Sequence, residues 1–409
     1  MPPTVSPAAP THSRTGRRAV PAARSPLGQG GGDGLRFLGA TARAAFARAA
    51  PALLGHLAVR LLGLAVLARW AHLQHHGVWP TLATSWDSHW YLGIADHGYD
   101  HELGTRLNHN NLAFFPLYPA VIKAVAAVTP GSRASVGLAV AVVCSSAAAW
   151  GIFAVGDRLY GRRAGTVLAV LWGALPVAVV QWMGYTESLF TALAAWSLYC
   201  VLTGRWAAAG ALASLAGLTR PTGIAVAAAV VAAALAALWR GAPARGPVTG
   251  ALLAPLGWFG FVAWVGVRLG RWDGYFAVQR LWKNEWDGGA DTLRELRTLL
   301  VYDRAPSLFL VAVSLVLILA GGLFLLTLGD RQPPALLAFS AVLLLVVLGS
   351  GGVYFPRARF LLPGFPLLLP LALPLSRARR HVALVLLGGM ALSSAWLGAY
   401  MLLVWPGPP

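Results

Sequence analysis

The sequence predicts an all-α, polytopic membrane protein, and three observations carry that prediction. Of the 409 residues, 57% are hydrophobic and only 11% are charged, whereas a water-soluble surface needs about a quarter of residues charged. Apolar runs approaching the roughly 20 residues that cross a bilayer recur along the chain. Arginines fall in the short gaps between those runs, as cytoplasmic loops require. The apolar excess also excludes intrinsic disorder. A net charge of +18, from 32 Lys and Arg against 14 Asp and Glu, would suggest nucleic acid in a soluble chain. Here it reads as arginine anchors against anionic lipid, and no nucleic-acid partner is expected. Cys144 and Cys200 both lie in apolar runs and read as small buried residues, not as a disulfide or a metal site.

Residues 1–49 are rich in Pro, Ala, Arg and Gly without apolar periodicity, and are expected to form a disordered, basic, cytoplasmic tail. Gly28–Gly34 reads as a linker, since no strand precedes it as a phosphate-binding loop would require. No apolar segment follows Arg17-Arg18 promptly, so no cleaved signal is expected. The membrane domain is expected over 50–405. Its apolar runs lie near 50–72, 134–156, 164–183, 187–203, 206–218, 222–239, 248–268, 307–327, 334–349, 360–375 and 381–405, giving about 11 transmembrane helices.

Charge placement decides the status of a further run, 112–128. If it does not cross, Arg158, Arg162, Arg163, Arg205, Arg240, Arg245, Arg331, Arg377, Arg379 and Arg380 all fall on the side of the basic tail. If it crosses, those loops invert. Residues 112–128 are therefore expected to form an interfacial or re-entrant helix inside one long extracytoplasmic loop, 73–133, with a second large loop at 269–306. On this topology every acidic residue except Asp33, Asp157 and Asp330 lies on the outer face, and an active site is expected there.

Within 73–133 the stretch Ser85-Trp86-Asp87-Ser88-His89-Trp90-Tyr91 leads to Gly98. Thr84 or Ser85 can cap a helix and Gly98 can end it. Trp86, Trp90 and Ile94 then form one apolar stripe, suited to the headgroup level. Asp87 sits in the first turn, where a carboxylate either balances the helix dipole or serves as a general base. Pro119 suits the first turn of a second interfacial helix. Glu187, at the outer start of a span, either partners a helix N-terminus or faces a cavity. Arg220, Arg357 and Arg359 lie on the outer side against the positive-inside trend. They either snorkel to headgroups or offer the guanidinium fork to phosphate. His72, His75, His76, His89, His97, His101 and His109 cluster in sequence, but no HExxH pattern accompanies them. No cofactor is expected, and a divalent metal is left without support.

The segments WDSHWYLGIADHGY at 86–99 and NLAFFPLYP at 111–119 resemble the phosphatidylinositol-glycan class V mannosyltransferases, members of the C-type polytopic glycosyltransferases. YTESLF at 185–190, LTRPTG at 218–223 and ARFLLPGFP at 358–366 are similar to that family's later motifs, in the same order. The resemblance covers roughly 50–405. It implies a C-type fold with two membrane-parallel helices in the first outer loop, a polyprenyl-phosphate-mannose donor, and inverting transfer on the extracytoplasmic face. It places the catalytic Asp at Asp87. Glu187 is expected beside it, orienting hydroxyls. Trp86, Trp90, Tyr91, Asn111, Tyr185, Arg220, Arg357 and Arg359 are the candidate substrate-binding residues. The acceptor is a glycan, glycolipid or protein. An Ala/Gly/Arg-rich chain with only Lys123 and Lys283 as lysines is typical of a high-GC bacterium, so the expected location is a bacterial plasma membrane. The rival expectations are a transporter or lipid flippase, with ionisable groups at mid-span, and a non-catalytic scaffold.

Overall fold

A computed structural model describes residues 31–409 of the chain, with side chains from Arg43 onward. Residues 1–30 of the expected tail lie outside the described residues. The chain divides after Ala47, and the bundle and the site belong to the compact unit Arg48–Pro409.

The first helix, α1, runs Gly31–Leu73 and so begins well inside the segment that reads as a tail. The run ARAAFARAA is rich in strong helix formers, which lets the helix extend beyond the apolar stretch. Three short helices follow before the next long one: α2 (Val78–Ala83), α3 (Asp87–His97) and α4 (Leu117–Ala126). At 1.5 Å per residue α4 spans about 15 Å, half a bilayer core, so the apolar run 112–128 is too short a helix to cross.

The bundle then continues through α5 (Arg133–Tyr160), α6 (Arg162–Gly173), α7 (Glu187–Leu202), α8 (Trp206–Gly217) and α9 (Ile224–Trp239). Next come α10 (Arg245–Leu253) and α11 (Leu256–Arg268), one run bent at Pro255, where the ring removes a helix hydrogen bond. The second loop carries α12 (Gly274–Leu281) and α13 (Ala290–Arg297). The chain ends with α14 (Leu308–Gly329), α15 (Pro334–Gly349), the single turn α16 (Arg357–Phe360), α17 (Leu369–Arg377) and α18 (Arg380–Leu403).

All described secondary structure is helical apart from one isolated bridge, Trp286 to Ser350. Among the described residues, six helical runs are long and apolar enough to cross a membrane: Arg43–Leu73, Arg133–Tyr160, Pro221–Trp239, Arg245–Arg268, Leu308–Gly329 and Arg380–Leu403. The other expected spans are shorter. The run 164–183, for instance, breaks after Gly173 and resumes as the 3₁₀ turn Ala178–Trp182.

The core is a continuous apolar cluster built on α5 to α9, α15 and α17, with Trp172, Phe190, Phe339 and Phe365 fully enclosed. Small residues let the helices approach closely. After Gly161 (φ +86°) turns the chain, Gly165 of α6 lies against the α5 backbone, where an added Cβ would sit 2.6 Å from the Phe153 carbonyl oxygen. At one end, Arg48 grips Asp157 through Nε and Nη2 at 2.6 and 2.7 Å. At the other end, the segments that charge placement assigns to one side converge. Asn108 N–H donates to Leu281 O at 3.1 Å, Gly184 N–H to Leu82 O at 2.8 Å and Gly351 N–H to Glu285 O at 2.6 Å.

Gly165→Val should lower the thermal midpoint of the detergent-solubilised protein through overpacking, at a cost of about 1–3 kcal/mol. A midpoint equal to wild type by scanning fluorimetry would show that α5 and α6 are not in backbone contact.

Candidate active site

The site begins with an unusual backbone. Trp86 has φ 49° and ψ −114°, a left-handed conformation that side chains rarely adopt and that costs on the order of 1–3 kcal/mol. It turns the chain sharply from α2 into α3 and makes Asp87 the first helical residue. Neither Thr84 nor Ser85 caps α3, contrary to expectation. Both hydroxyls donate back to Pro80 O, at 2.9 and 3.2 Å. Gly98 ends the helix as expected, its N–H donating to Ile94 O at 2.9 Å. The Asp87 N–H, one of the helix's unpaired first-turn donors, reaches the Tyr185 hydroxyl at 3.4 Å.

Four charged side chains meet at this point. Arg359 Nη2 donates to Asp87 Oδ2 at 2.5 Å, and its Nε lies 3.7 Å from Glu187 Oε1. Arg220 is ion-paired with Glu187. Glu187 is 2% exposed, Arg359 6% and Asp87 24%, so Asp87 is the member that reaches the cleft most freely. Tyr91 and Thr186 share a hydroxyl–hydroxyl hydrogen bond at 3.2 Å, and Arg220 Nη1 donates to the Thr186 hydroxyl at 3.4 Å. Both guanidinium groups lie against one ring, with Arg220 at 5.1 Å and Arg359 at 5.3 Å from the centre of Phe360. Arg359 also lies 5.0 Å from the Tyr185 ring.

The electrostatics follow from burial and pairing. Burial disfavours the charge on Arg359, but the Asp87 and Glu187 carboxylates outweigh it and raise the pKa above the usual range. Burial, with the Asp87 charge adding to it, raises the Tyr91 and Tyr185 hydroxyls well above theirs. Both tyrosines therefore stay protonated and can donate hydrogen bonds. Two N–H groups of Arg359, on Nε and Nη1, have no hydrogen-bond partner. A buried guanidinium with spare donors is poised to take an anionic oxygen.

This constellation lines a cleft of about 320 Å³. Asp87, Tyr91, Arg220 and Arg359 line it together with Trp282, Gln279 and Asn284 of the second loop. The wall is a fixed aromatic group. Trp90 stacks on Phe114 with centroids 5.6 Å apart, and Trp282 meets both rings edge-on at 5.3 Å. Trp282 is further clamped by its Nε1–H, which donates to Asn110 O at 2.9 Å. A smaller compartment of about 130 Å³ adjoins the cleft and shares Arg220, Gln279 and Asn284 with it.

The sequence-derived candidates separate into those that meet and those that do not. Asp87, Glu187, Arg220, Arg359, Tyr91 and Tyr185 form the cluster. Trp90 builds the wall through Phe114. Trp86 is partly buried against the core and serves as the strained turn. The expected stripe packs into the protein: Trp86 lies against the core, Trp90 against Phe114 and Trp282, and Ile94 is buried. The fully buried residues of α3 are Ser88, Tyr91, Ile94 and Ala95, with Tyr91 and Ala95 packed against Tyr118 and Ile122 of α4.

Asn111 is a clasp that does not line the cleft. Its Oδ1 accepts from Asp100 N–H and its own N–H donates to Asp100 Oδ2, both at 2.8 Å. Arg357 points away from Asp87. It bonds Thr292 of α13, donates to Ser350 O at 2.7 Å, and lines only the smaller compartment. Among the described residues, no three His, Cys, Asp or Glu side chains converge as a metal ion requires.

Sequence reasoning missed Thr186, Phe360, Gln279 and Asn284. The one available signal for the last two was a pair of amides flanking Trp282 in a loop that otherwise reads as a connector.

No family model and no curated protein matches the chain. Solved structures do. The archaeal oligosaccharyltransferase of Archaeoglobus fulgidus, in complex with an inhibitory peptide and a dolichol-phosphate, aligns with a TM-score of 0.52 and 15% identity, over 87% of this chain and 56% of that one. The apo form of the same enzyme aligns with a TM-score of 0.50 and 13% identity, over the same shares. The chain thus spans just over half the length of these structures. At this identity the likeness is one of fold alone.

Glu187→Gln should destabilise the protein by about 3–5 kcal/mol, since it leaves Arg220 buried without its countercharge. Adding Arg220→Met should recover part of that loss. Strictly additive effects in a double-mutant cycle, read by thermal unfolding, would show that the pair is not coupled.

Proposed function

We propose that this protein is an inverting membrane glycosyltransferase that moves mannose from polyprenyl-phosphate-mannose to an acceptor hydroxyl. The proposed setting is the extracytoplasmic face of a bacterial plasma membrane. The observation that carries the reading is the cluster itself. A carboxylate at the edge of a cleft, Asp87, is held by one of two arginines that share that cleft. The C-type fold supports it, as does the dolichol-phosphate held by one structurally similar oligosaccharyltransferase.

The chemistry follows from the positions. The acceptor oxygen attacks the anomeric carbon of the sugar while its proton passes to the Asp87 carboxylate. The bond from that carbon to the phosphate oxygen breaks, and its electron pair stays with the phosphate. Attack from the face opposite the leaving group inverts the anomeric configuration. Phosphate is already a good leaving group, so no acid need protonate it. Arg220 and Arg359 stabilise the charge that develops there. Glu187, buried behind both, is their shared countercharge and holds them in place. Gln279 and Asn284 offer amides to sugar hydroxyls, and Trp282 presents a fixed ring beside them. The acceptor is a glycan, glycolipid or protein hydroxyl.

Membranes carrying Asp87→Asn should transfer labelled mannose from the lipid donor about 10²–10⁴-fold more slowly than wild type, the usual contribution of a positioned base. Transfer at the wild-type rate would remove Asp87 from the mechanism.

A further inference from the structure

A second buried polar group lies away from the cleft, within the spanning part of α1. Arg60 is 4% exposed and falls inside the span Arg43–Leu73. A charged side chain at such depth is costly and normally pairs with an opposite charge. Arg60 has no carboxylate partner among the described ion pairs. One of its Nη groups bonds Gly173 O, the carbonyl left open where α6 breaks, and reaches the Ser394 hydroxyl at 3.5 Å. Ser394 in turn donates to Leu175 O at 2.6 Å. The Nε–H of Arg60 has no partner, and neither does the indole Nε1–H of Trp182.

Arg60, Trp182 and Ser394 line the same cavity, which measures about 20 Å³. That is room for one occupant of roughly a single atom's size. The remaining lining, including Leu64, Leu67, Leu82 and Val179, is apolar. The two unsatisfied groups are both donors, and neither side chain has an acceptor to offer. The Ser394 hydroxyl already donates to Leu175 O. A water molecule could accept both hydrogen bonds and donate one to Ser394 Oγ, which keeps acceptor capacity after donating to Leu175 O, yet it would leave the charge of Arg60 uncompensated. A monatomic anion satisfies both donors and the charge at once.

We propose that this cavity is a binding site for a halide ion, chloride under ordinary conditions, held by Arg60 Nε and Trp182 Nε1. The inference is independent of the transferase reading. Its placement gives it a consequence. Leu82 lies at the end of α2, just before the turn that leads to Asp87, and its carbonyl accepts from Gly184 N–H at 2.8 Å. Trp182 is followed by the turn that carries Tyr185 and Glu187. A bound halide therefore braces both turns from below, and the stability of the charged cluster depends on its occupancy.

The test uses the full chain in detergent. Thermal unfolding is compared in sodium chloride, sodium bromide and sodium gluconate at equal ionic strength. The expected result is a saturable rise in Tm of a few degrees in both halides and none in gluconate. Trp182→Phe, which keeps the ring and removes the donor, should shift the chloride midpoint roughly tenfold higher, the effect of losing one hydrogen bond to an ion. In bromide-soaked wild-type crystals the anomalous peak should lie within hydrogen-bond distance of Arg60 Nε and Trp182 Nε1. Equal Tm in all three salts, a variant that titrates like wild type, or a cavity without bromide density each overturns the proposal. The crystal measurement needs no variant and decides the matter if Trp182→Phe fails to fold.

Discussion

The arrangement depends most on Glu187, a carboxylate with 2% of its side chain exposed between two buried arginines. It supplies the countercharge to buried Arg220 and, together with Asp87, to buried Arg359. Arg359 can then hold Asp87, and Arg220 can hold Thr186. The four charged residues come from four different turns: 84–87, 184–187, 218–223 and 355–360. None of those turns is a regular helix in the middle of a span. The charges therefore fasten together four interruptions of the backbone, each short on its own hydrogen bonds.

Interrupted helices are tolerated in a membrane protein where the freed backbone groups find partners in the protein or face a polar cavity. This chain uses both solutions. Around the cleft, Trp258 Nε1–H donates to Pro221 O at 2.9 Å at the break before α9. At the break after α6, Arg60 takes Gly173 O, and Gln181 Nε2 donates to Trp172 O at 2.9 Å. The break after α6 is closed by side chains, and those that carry Asp87, Arg220 and Arg359 open onto the cleft. The same structural need thus produces the site at one level and a buried polar anchor at another.

Much of this is legible in the sequence, and the failures are physical. Scarce acids in an apolar chain stand out, which singles out Asp87 and Glu187, and charge placement groups the segments that meet. Arg357 and Arg359 look equivalent in the sequence because both lie in one basic motif. Two residues apart on a helical turn they point about 200° apart, so only one can face Asp87. Asn111 shares a motif with the cluster but spends its hydrogen bonds on Asp100. Trp90 reads as lipid-facing because the sequence does not say that a loop almost 200 residues away supplies Trp282. The expected number of spans exceeds the number of long helices for a related reason. Apolar composition marks what is buried, and a short helix such as α7, largely enclosed by its neighbours, is apolar without being long enough to cross alone.

The pairing of Asp87 with Arg359 bears on how the proposed reaction is coupled. The two arginines balance the two carboxylates, so the cluster is neutral before the donor arrives. A sugar phosphodiester brings one negative charge, and the departing phosphate monoester approaches two at neutral pH. The proton taken from the acceptor cancels the charge on Asp87 in the same step. At that moment Arg359 loses its carboxylate partner and its charge becomes available to the leaving group. One guanidinium thus connects the base to the phosphate, and total charge in the cleft is unchanged through the transfer. Such an arrangement needs an arginine that cannot give up its proton. It also needs a buried carboxylate behind it that does not take part. Glu187, removed from the reacting atoms, is what allows Asp87 to change its charge without loosening the site.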